Sequence, residues 1–79
     1  MAVFMLQLAD GRDKVIEADV AGRTLAGEIV LERADLHGNW TTLETYRAAD
    51  VVAVYRRALA HAGTYTWIPQ PTTGTWWCY

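Results

Sequence analysis

Apolar and polar residues alternate with a period of two along much of the first half of the chain, which is typical of β-strands with one buried face. Phe4, Leu6 and Leu8 share one face of the first such segment. Asp10 followed by Gly11 then supplies the turn that a hairpin needs. The pattern predicts four strands, at residues 3–8, 14–20, 25–33 and Trp40–Tyr46, with a break at residues 21–23 and a loop at residues 35–39.

The third predicted strand shows the same alternation over a longer stretch. Its apolar side chains Leu25, Ile29 and Leu31 are expected to face inward. Its two glutamates, Glu28 and Glu32, are expected to face solvent, because neighbouring positions on a strand point to opposite sides. This segment is therefore predicted to contribute one face to the core.

Residues 48–63 fit two different structures. As a strand, the β-branched run at residues 51–55 suits a buried position. As a helix, the apolar side chains recur at helical spacing, with Asp50 at the N-cap and Gly63 just past the C-terminus. We favour a strand at residues 51–56 followed by a helical turn through His61, which leaves open one short helix near residues 57–62.

Five of the nine aromatic residues lie in the last fifteen positions. Pro69, Pro71 and Gly74 interrupt this segment, so one helix or strand of its own cannot bury the aromatic area. We predict a strand at residues 64–68 and a loop at residues 69–74. The aromatic side chains are expected to pack either on the domain's own core or on a partner. The predicted partner-binding residues are Tyr65, Trp67, Trp76, Trp77 and Tyr79.

The length limits the chain to one domain, and the cysteine count excludes an internal disulfide. With 79 residues and one cysteine, Cys78, we expect a single domain over residues 1–79 without an internal disulfide. The small core and an apolar fraction of 52% favour self-association as further support. The predicted fold class is all-β, as a small SH3-like barrel or a rolled antiparallel sheet of five or six strands, with an aromatic-rich C-terminal segment at residues 64–79.

The residue types that perform chemistry do not form a catalytic or metal-binding pattern. The chain contains no serine, which removes serine-based catalysis. His37, His61 and Cys78 are too few and too widely spaced for a closed zinc site. We therefore predict that the protein is not an enzyme and has no cofactor and no catalytic, cofactor-binding or metal-binding residues.

Two functional hypotheses follow. A net charge of −2 gives no general attraction to nucleic acid, so the first hypothesis is a module that binds a protein partner or assembles as a homo-oligomer. The second is a single-stranded nucleic-acid-binding β-barrel, because arginines beside aromatic rings can stack bases. Its surface would consist of Trp40, Arg47, Tyr55, Arg56 and Arg57.

The sequence also suggests a location. The apolar run at residues 1–8 is short, carries no basic leader and leads directly into a turn, so it is interpreted as a strand and not as a signal peptide. No apolar run approaches the length that crosses a membrane. We expect a cytoplasmic protein without membrane contact.

Four segments carry a resemblance to a group of proteins. These are Leu-Ala-Asp-Gly-Arg at residues 8–12, Glu-Ala-Asp at 17–19, Ile-Val-Leu-Glu-Arg at 29–33, and the run from Ala-Asp-Val-Val to Arg-Arg at 49–57. Together they resemble small β-meander proteins of actinobacteria and their phages. The resemblance ends at Leu59 and implies a compact β fold with a strand at residues 51–56. Separately from the resemblance, we expect an accessory role in a phage or an actinobacterium, such as binding and modulating a host protein or decorating an assembly.

Overall fold

Most of the chain forms extended strands, as the alternation of apolar and polar residues predicts. The computed structural model describes residues 2–79, and within them it contains eight strands and no α-helix. The strands are β1 (Ala2–Leu8), β2 (Asp13–Ala18), β3 (Val20–Arg23), β4 (Ile29–Ala34), β5 (Trp40–Tyr46), β6 (Val51–Leu59), β7 (Tyr65–Pro69) and β8 (Trp76–Cys78). Two short 3₁₀ turns lie at Ala48–Asp50 and His61–Gly63. The predicted all-β class is confirmed.

The strands form two four-stranded antiparallel sheets. The first sheet has the order β2-β1-β6-β7, and the second has the order β5-β4-β3-β8. No backbone ladder joins the two sheets within residues 2–79, so hydrogen bonds do not close them into a barrel. The predicted number of five or six strands is wrong, because the segment before β4 forms an additional strand and the last residues form β8.

Asp19 marks the corner where the chain passes from the first sheet to the second. Ala18 and Val20, on either side of it, are buried. The Asp19 N–H donates to the Glu32 carbonyl oxygen (2.9 Å), and the Ala34 N–H donates to Asp19 Oδ2 (2.8 Å). The strand predicted at residues 14–20 is therefore divided at this corner, and the predicted break at residues 21–23 belongs to β3.

The third predicted strand begins later than its alternation suggested. A turn precedes β4, in which the Gly27 N–H donates to the Thr24 carbonyl oxygen (2.9 Å) and Gly27 has a φ of 82°. Gly27 suits that left-handed backbone because it lacks a Cβ. Leu25 lies in the turn with 95% of its surface exposed, so its predicted inward position is wrong. Ile29 and Leu31 are buried as predicted.

β6 resolves the ambiguity at residues 48–63 in favour of a strand. It extends to Leu59, beyond the predicted end at Arg56, and no helix forms near residues 57–62. Leu6 pairs with Val54 on one side of β6, and Trp67 pairs with Arg57 on the other. Two ladders therefore hold the segment extended. The described residues contain no helix of the length and apolar character needed to span a membrane.

The core combines residues from both sheets. Phe4 and Leu6 of β1 and Leu31 of β4 are its largest fully buried side chains. The cluster is completed by Ala18, Ala21, Ile29 and Val54. Because so few large side chains are fully buried, the partly buried residues around the cluster are needed to cover it.

Candidate binding site

Strand β8 sends its two tryptophans to opposite sides of the second sheet. Trp76 packs against the core cluster. Its indole Nε1 is buried and has no hydrogen-bond partner among residues 2–79. Trp77 lies on the outer face with 46% of its surface exposed. Successive strand residues alternate between faces, so the predicted aromatic surface is divided at this point.

The outer face of the second sheet carries an open cleft of about 250 Å³. We call it the aromatic cleft. Val20 of β3 and Glu32 of β4 are cross-strand partners and line its centre. Trp40 begins the edge strand β5, Trp77 belongs to the opposite edge strand β8, and Tyr79 follows β8. Both edges of the second sheet thus contribute aromatic rings to one cleft.

Gly22 allows the Trp77 indole to lie flat on the sheet. The two residues are cross-strand partners in β3 and β8. A Cβ atom at position 22 would lie 1.9 Å from Cε3 of Trp77, far inside contact distance. Glycine is needed here for close approach, because any other side chain would displace the ring.

A hydrogen-bonded loop leads into Trp40. The Asp35 carboxylate Oδ1 accepts hydrogen bonds from the backbone N–H groups of Asn39 (2.9 Å) and His37 (2.8 Å). These bonds lower the pKa of Asp35 below its ordinary value, with the bond from Asn39 the largest cause. The loop therefore has a defined shape immediately before the aromatic residue.

Glu32 gives the cleft a negative group. Its carboxylate Oε2 accepts one hydrogen bond, from Thr42 Oγ1 at 3.4 Å. Within residues 2–79 it forms no ion pair. A carboxylate among exposed aromatic rings favours a cationic ligand, because the faces of the rings are also negative.

The remaining predicted partner-binding residues lie on the first sheet. Tyr65 and Trp67 lie two positions apart on β7, so they share one face of that strand. It is the same face as that of Arg57 on β6. The Arg57 guanidinium lies 4.3 Å from the centre of the Tyr65 ring. The five predicted residues therefore form three groups: Tyr65 and Trp67 on the first sheet, Trp76 against the core, and Trp77 and Tyr79 in the aromatic cleft.

The predicted nucleic-acid surface is dispersed. Arg56 and Arg57 are consecutive on β6 and point to opposite faces. Arg47 lies at the turn before β6, where its Nε donates to Asp50 Oδ2 at 3.3 Å. Trp40 belongs to the other sheet. Only Tyr55 and Arg57 share one face, so these residues do not form one basic groove.

No group of three or more metal-ligating side chains comes together within the described part of the chain. His37 lies in the loop before β5, and His61 begins the turn after β6. Cys78 is half-buried against the core. The three residues considered as zinc ligands are thus positioned by different elements.

Comparison with known proteins gives no match: neither a protein-family model, nor a curated protein, nor a solved structure matches this chain. The candidate site therefore depends on geometry alone. The sequence predicted Trp77 and Tyr79 as partner-binding residues and placed Trp40 in the alternative nucleic-acid set. It did not indicate Val20, Gly22 and Glu32, which join the site only because β3 lies between β4 and β8.

Proposed function

We propose that this protein is a non-enzymatic protein-interaction module that uses the aromatic cleft as its contact surface. The observation that carries the proposal is the joint exposure of Trp40 (52%), Trp77 (46%) and Tyr79 (78%) around one cleft. Such side chains are enriched at the centres of protein interfaces, because they bury a large area with little loss of conformational freedom.

The three exposed rings offer apolar area that a partner can cover. Covering a large apolar side chain stabilises a complex by roughly 1.5–3 kcal/mol before the costs of association are subtracted. Three partly exposed rings at one site would form the apolar centre of a contact, and surrounding residues would have to add to it. The partner is either another protein or a second copy of this chain. An accessory role in an actinobacterium or a phage is the corresponding biological proposal.

For the fold, we propose that the two sheets together form a rolled sheet related to the SH3-like barrel. Two observations support it: the corner at Asp19, and an ion pair between Lys14 of β2 and Glu44 of β5. That pair brings the free edge of one sheet near the free edge of the other. Cation–π contact between Lys14 and the Tyr46 ring, 5.9 Å to the centroid, adds to it.

The rival proposal, binding of single-stranded nucleic acid, receives less support. It needs positive side chains that follow the nucleic-acid backbone along one groove. The geometry separates Arg56 from Arg57 and pairs Arg47 with Asp50. The cleft that does collect aromatic rings has a carboxylate at its centre, which repels phosphate.

A double variant tests the proposed contact surface. Trp40→Ala together with Tyr79→Ala removes exposed rings while leaving Trp77 on Gly22. Leu25→Ala is the matched control, because Leu25 is exposed in a turn and does not line the cleft. Light scattering over a concentration series measures self-association, and affinity capture from an actinobacterial lysate with nuclease, read by mass spectrometry, measures partner binding.

We expect the double variant to lose either the oligomer or a captured protein, and the control to retain it. The variant should keep the circular dichroism spectrum of the native protein, because both rings are outside the core. Unchanged mass and an unchanged set of captured proteins would refute the proposed surface.

A further inference from the structure

We infer that the aromatic cleft is a recognition site for an organic cation, namely the ammonium or guanidinium end of a lysine or arginine side chain on a protein partner. This inference rests on the proposed interaction function and adds the chemical class of the group that is bound. Its basis is the combination of three aromatic residues and one carboxylate, Trp40, Trp77, Tyr79 and Glu32, around a single opening.

The aromatic rings can offer their negative faces to a cation. The face of an indole or phenol ring carries a negative quadrupole, and cations bind over such faces within about 6 Å of the ring centre. Trp40 and Trp77 come from opposite edge strands of the sheet, so they approach the opening from two sides. Aromatic cages likewise hold methylated ammonium groups between rings that come from more than one side.

Glu32 adds a negative charge to the cleft. Its carboxylate has no ion-pair partner within the described residues, and only the Thr42 hydroxyl donates to it. Unlike Glu44, Asp10 and Asp50, which pair with Lys14, Arg12 and Arg47, it has no such partner within residues 2–79, and it is the carboxylate that lines the cleft. Glu32 is thus a negative group in the cleft whose charge an incoming cation could balance.

The floor of the cleft is apolar. Val20 is buried beneath it, and Gly22 beside it lets Trp77 lie close to the sheet. A volume of about 250 Å³ is enough for the end of one side chain. Weakly hydrated cations gain most from such a surface, so we expect trimethyllysine to bind more tightly than arginine, and arginine more tightly than lysine.

The test uses small probes of defined charge. Nα-acetyl amides of trimethyllysine, arginine and lysine are titrated into the full chain labelled with ¹⁵N, and the indole N–H signals are followed by NMR. The neutral probe is an isostere in which a tert-butyl group replaces the trimethylammonium group. We expect shifts at Trp40 and Trp77 but not at Trp67, with the isostere binding at least about threefold more weakly.

Glu32→Gln removes the charge and keeps the shape of the side chain. It should weaken binding of trimethyllysine by at least about threefold and reduce the dependence of binding on salt. Glu28→Gln is the control, because Glu28 lies in the turn before β4, outside the cleft. Both variants should retain the dispersion of the NMR spectrum, which verifies folding.

Equal binding of the cation and the isostere, an unchanged affinity in Glu32→Gln, or no shift at Trp40 and Trp77 up to about 50 mM probe would each overturn the inference. Its failure is distinguishable from failure of the interaction function. If partner capture depends on Trp40 and Tyr79 but not on the charge of Glu32, the proposed interaction function stands and the recognition of a cation is refuted. Cation binding without any cleft-dependent partner or oligomer keeps the chemistry and rejects the protein partner.

Discussion

At the scale of single residues, two consecutive tryptophans have different roles because a strand sends its neighbours to opposite faces. Trp76 covers the core cluster, whereas Trp77 lies across Gly22 on the outer surface. The same residue type therefore contributes to stability at one position and to a candidate contact surface at the next. Composition describes the two residues identically, and only the pleat of β8 distinguishes them.

Alanine substitution at each tryptophan separates these roles. We expect Trp76→Ala to lower the free energy of unfolding by about 3 kcal/mol or more, because it leaves a cavity beside the core. Trp77→Ala should cost only about 1 kcal/mol, since its ring is half exposed. Urea denaturation followed by circular dichroism measures both, and Trp76→Phe is the milder substitute if the alanine variant does not fold. Equal losses at the two positions would contradict this assignment of faces.

Gly11 illustrates a different effect at the same scale. It lies in the β1–β2 turn with a φ of 93°, and its N–H donates to the Leu8 carbonyl oxygen (3.0 Å). We expect Gly11→Val to destabilise the protein by roughly 1–3 kcal/mol, because a β-branched residue is strained in left-handed backbone. Thermal denaturation measures the loss. Gly11→Asn is the control and should cost less, since Asn tolerates this conformation; no loss with valine would mean that the turn accommodates its side chain.

At the scale of elements, local patterns predicted some strand boundaries correctly and missed others. The predicted bounds of β5 are confirmed, and β1 begins only one residue before its predicted start. The sequence did not predict the corner at Asp19, because the alternation continues through residues 14–20. The backbone before Asp19 is bonded to the first sheet and the backbone from Asp19 onward to the second. A turn made by a side-chain hydrogen bond to a distant strand leaves no periodic signal.

β8 is the short edge strand on which the second sheet depends. It covers β3 through three paired positions and brings Trp76 and Cys78 to the core. We expect removal of residues 75–79 either to unfold the chain or to produce an oligomer through the uncovered edge of β3, because an unpaired edge is a template for pairing. Circular dichroism and light scattering separate the two results. A truncated protein that stays folded and monomeric would show that β8 is dispensable.

At the scale of the whole molecule, the distribution of charge matters more than its sum. The net charge of −2 is small, but the arginines face different directions and two of them pair with nearby carboxylates. The predicted nucleic-acid residues therefore do not bring their arginines and aromatic rings onto one face. This arrangement favours contact with protein over contact with a polyanion.

We accordingly expect labelled single-stranded oligonucleotides to bind no tighter than about 10⁻⁴ M at physiological salt, the range of weak non-specific contact. Fluorescence anisotropy measures the affinity, and Arg56→Ala combined with Arg57→Ala should change it little. Micromolar binding that falls steeply with added salt and disappears in this double variant would instead establish the nucleic-acid hypothesis.

The candidate site combines predictable and unpredictable parts. The aromatic-rich C-terminal segment is sufficient to predict Trp77 and Tyr79 as candidate contact residues, because large rings in a proline-interrupted segment need cover from the rest of the domain, a second copy or a partner. Glu32 was expected only to face solvent. Its place between rings from β5 and β8 depends on the strand order of the second sheet, which no local pattern specifies.

By itself, the sequence determined the all-β class, most of the strands and the turn at Gly11, because period-two alternation and turn-forming residues act over a few positions. The tertiary structure decided that β2 and β3 separate at Asp19, that the predicted aromatic surface divides into three groups, and that Trp40 joins Trp77 across the sheet. These outcomes require pairing between distant segments. Such pairing is selected by the packing of the whole core, so it is not encoded in any single stretch of the chain.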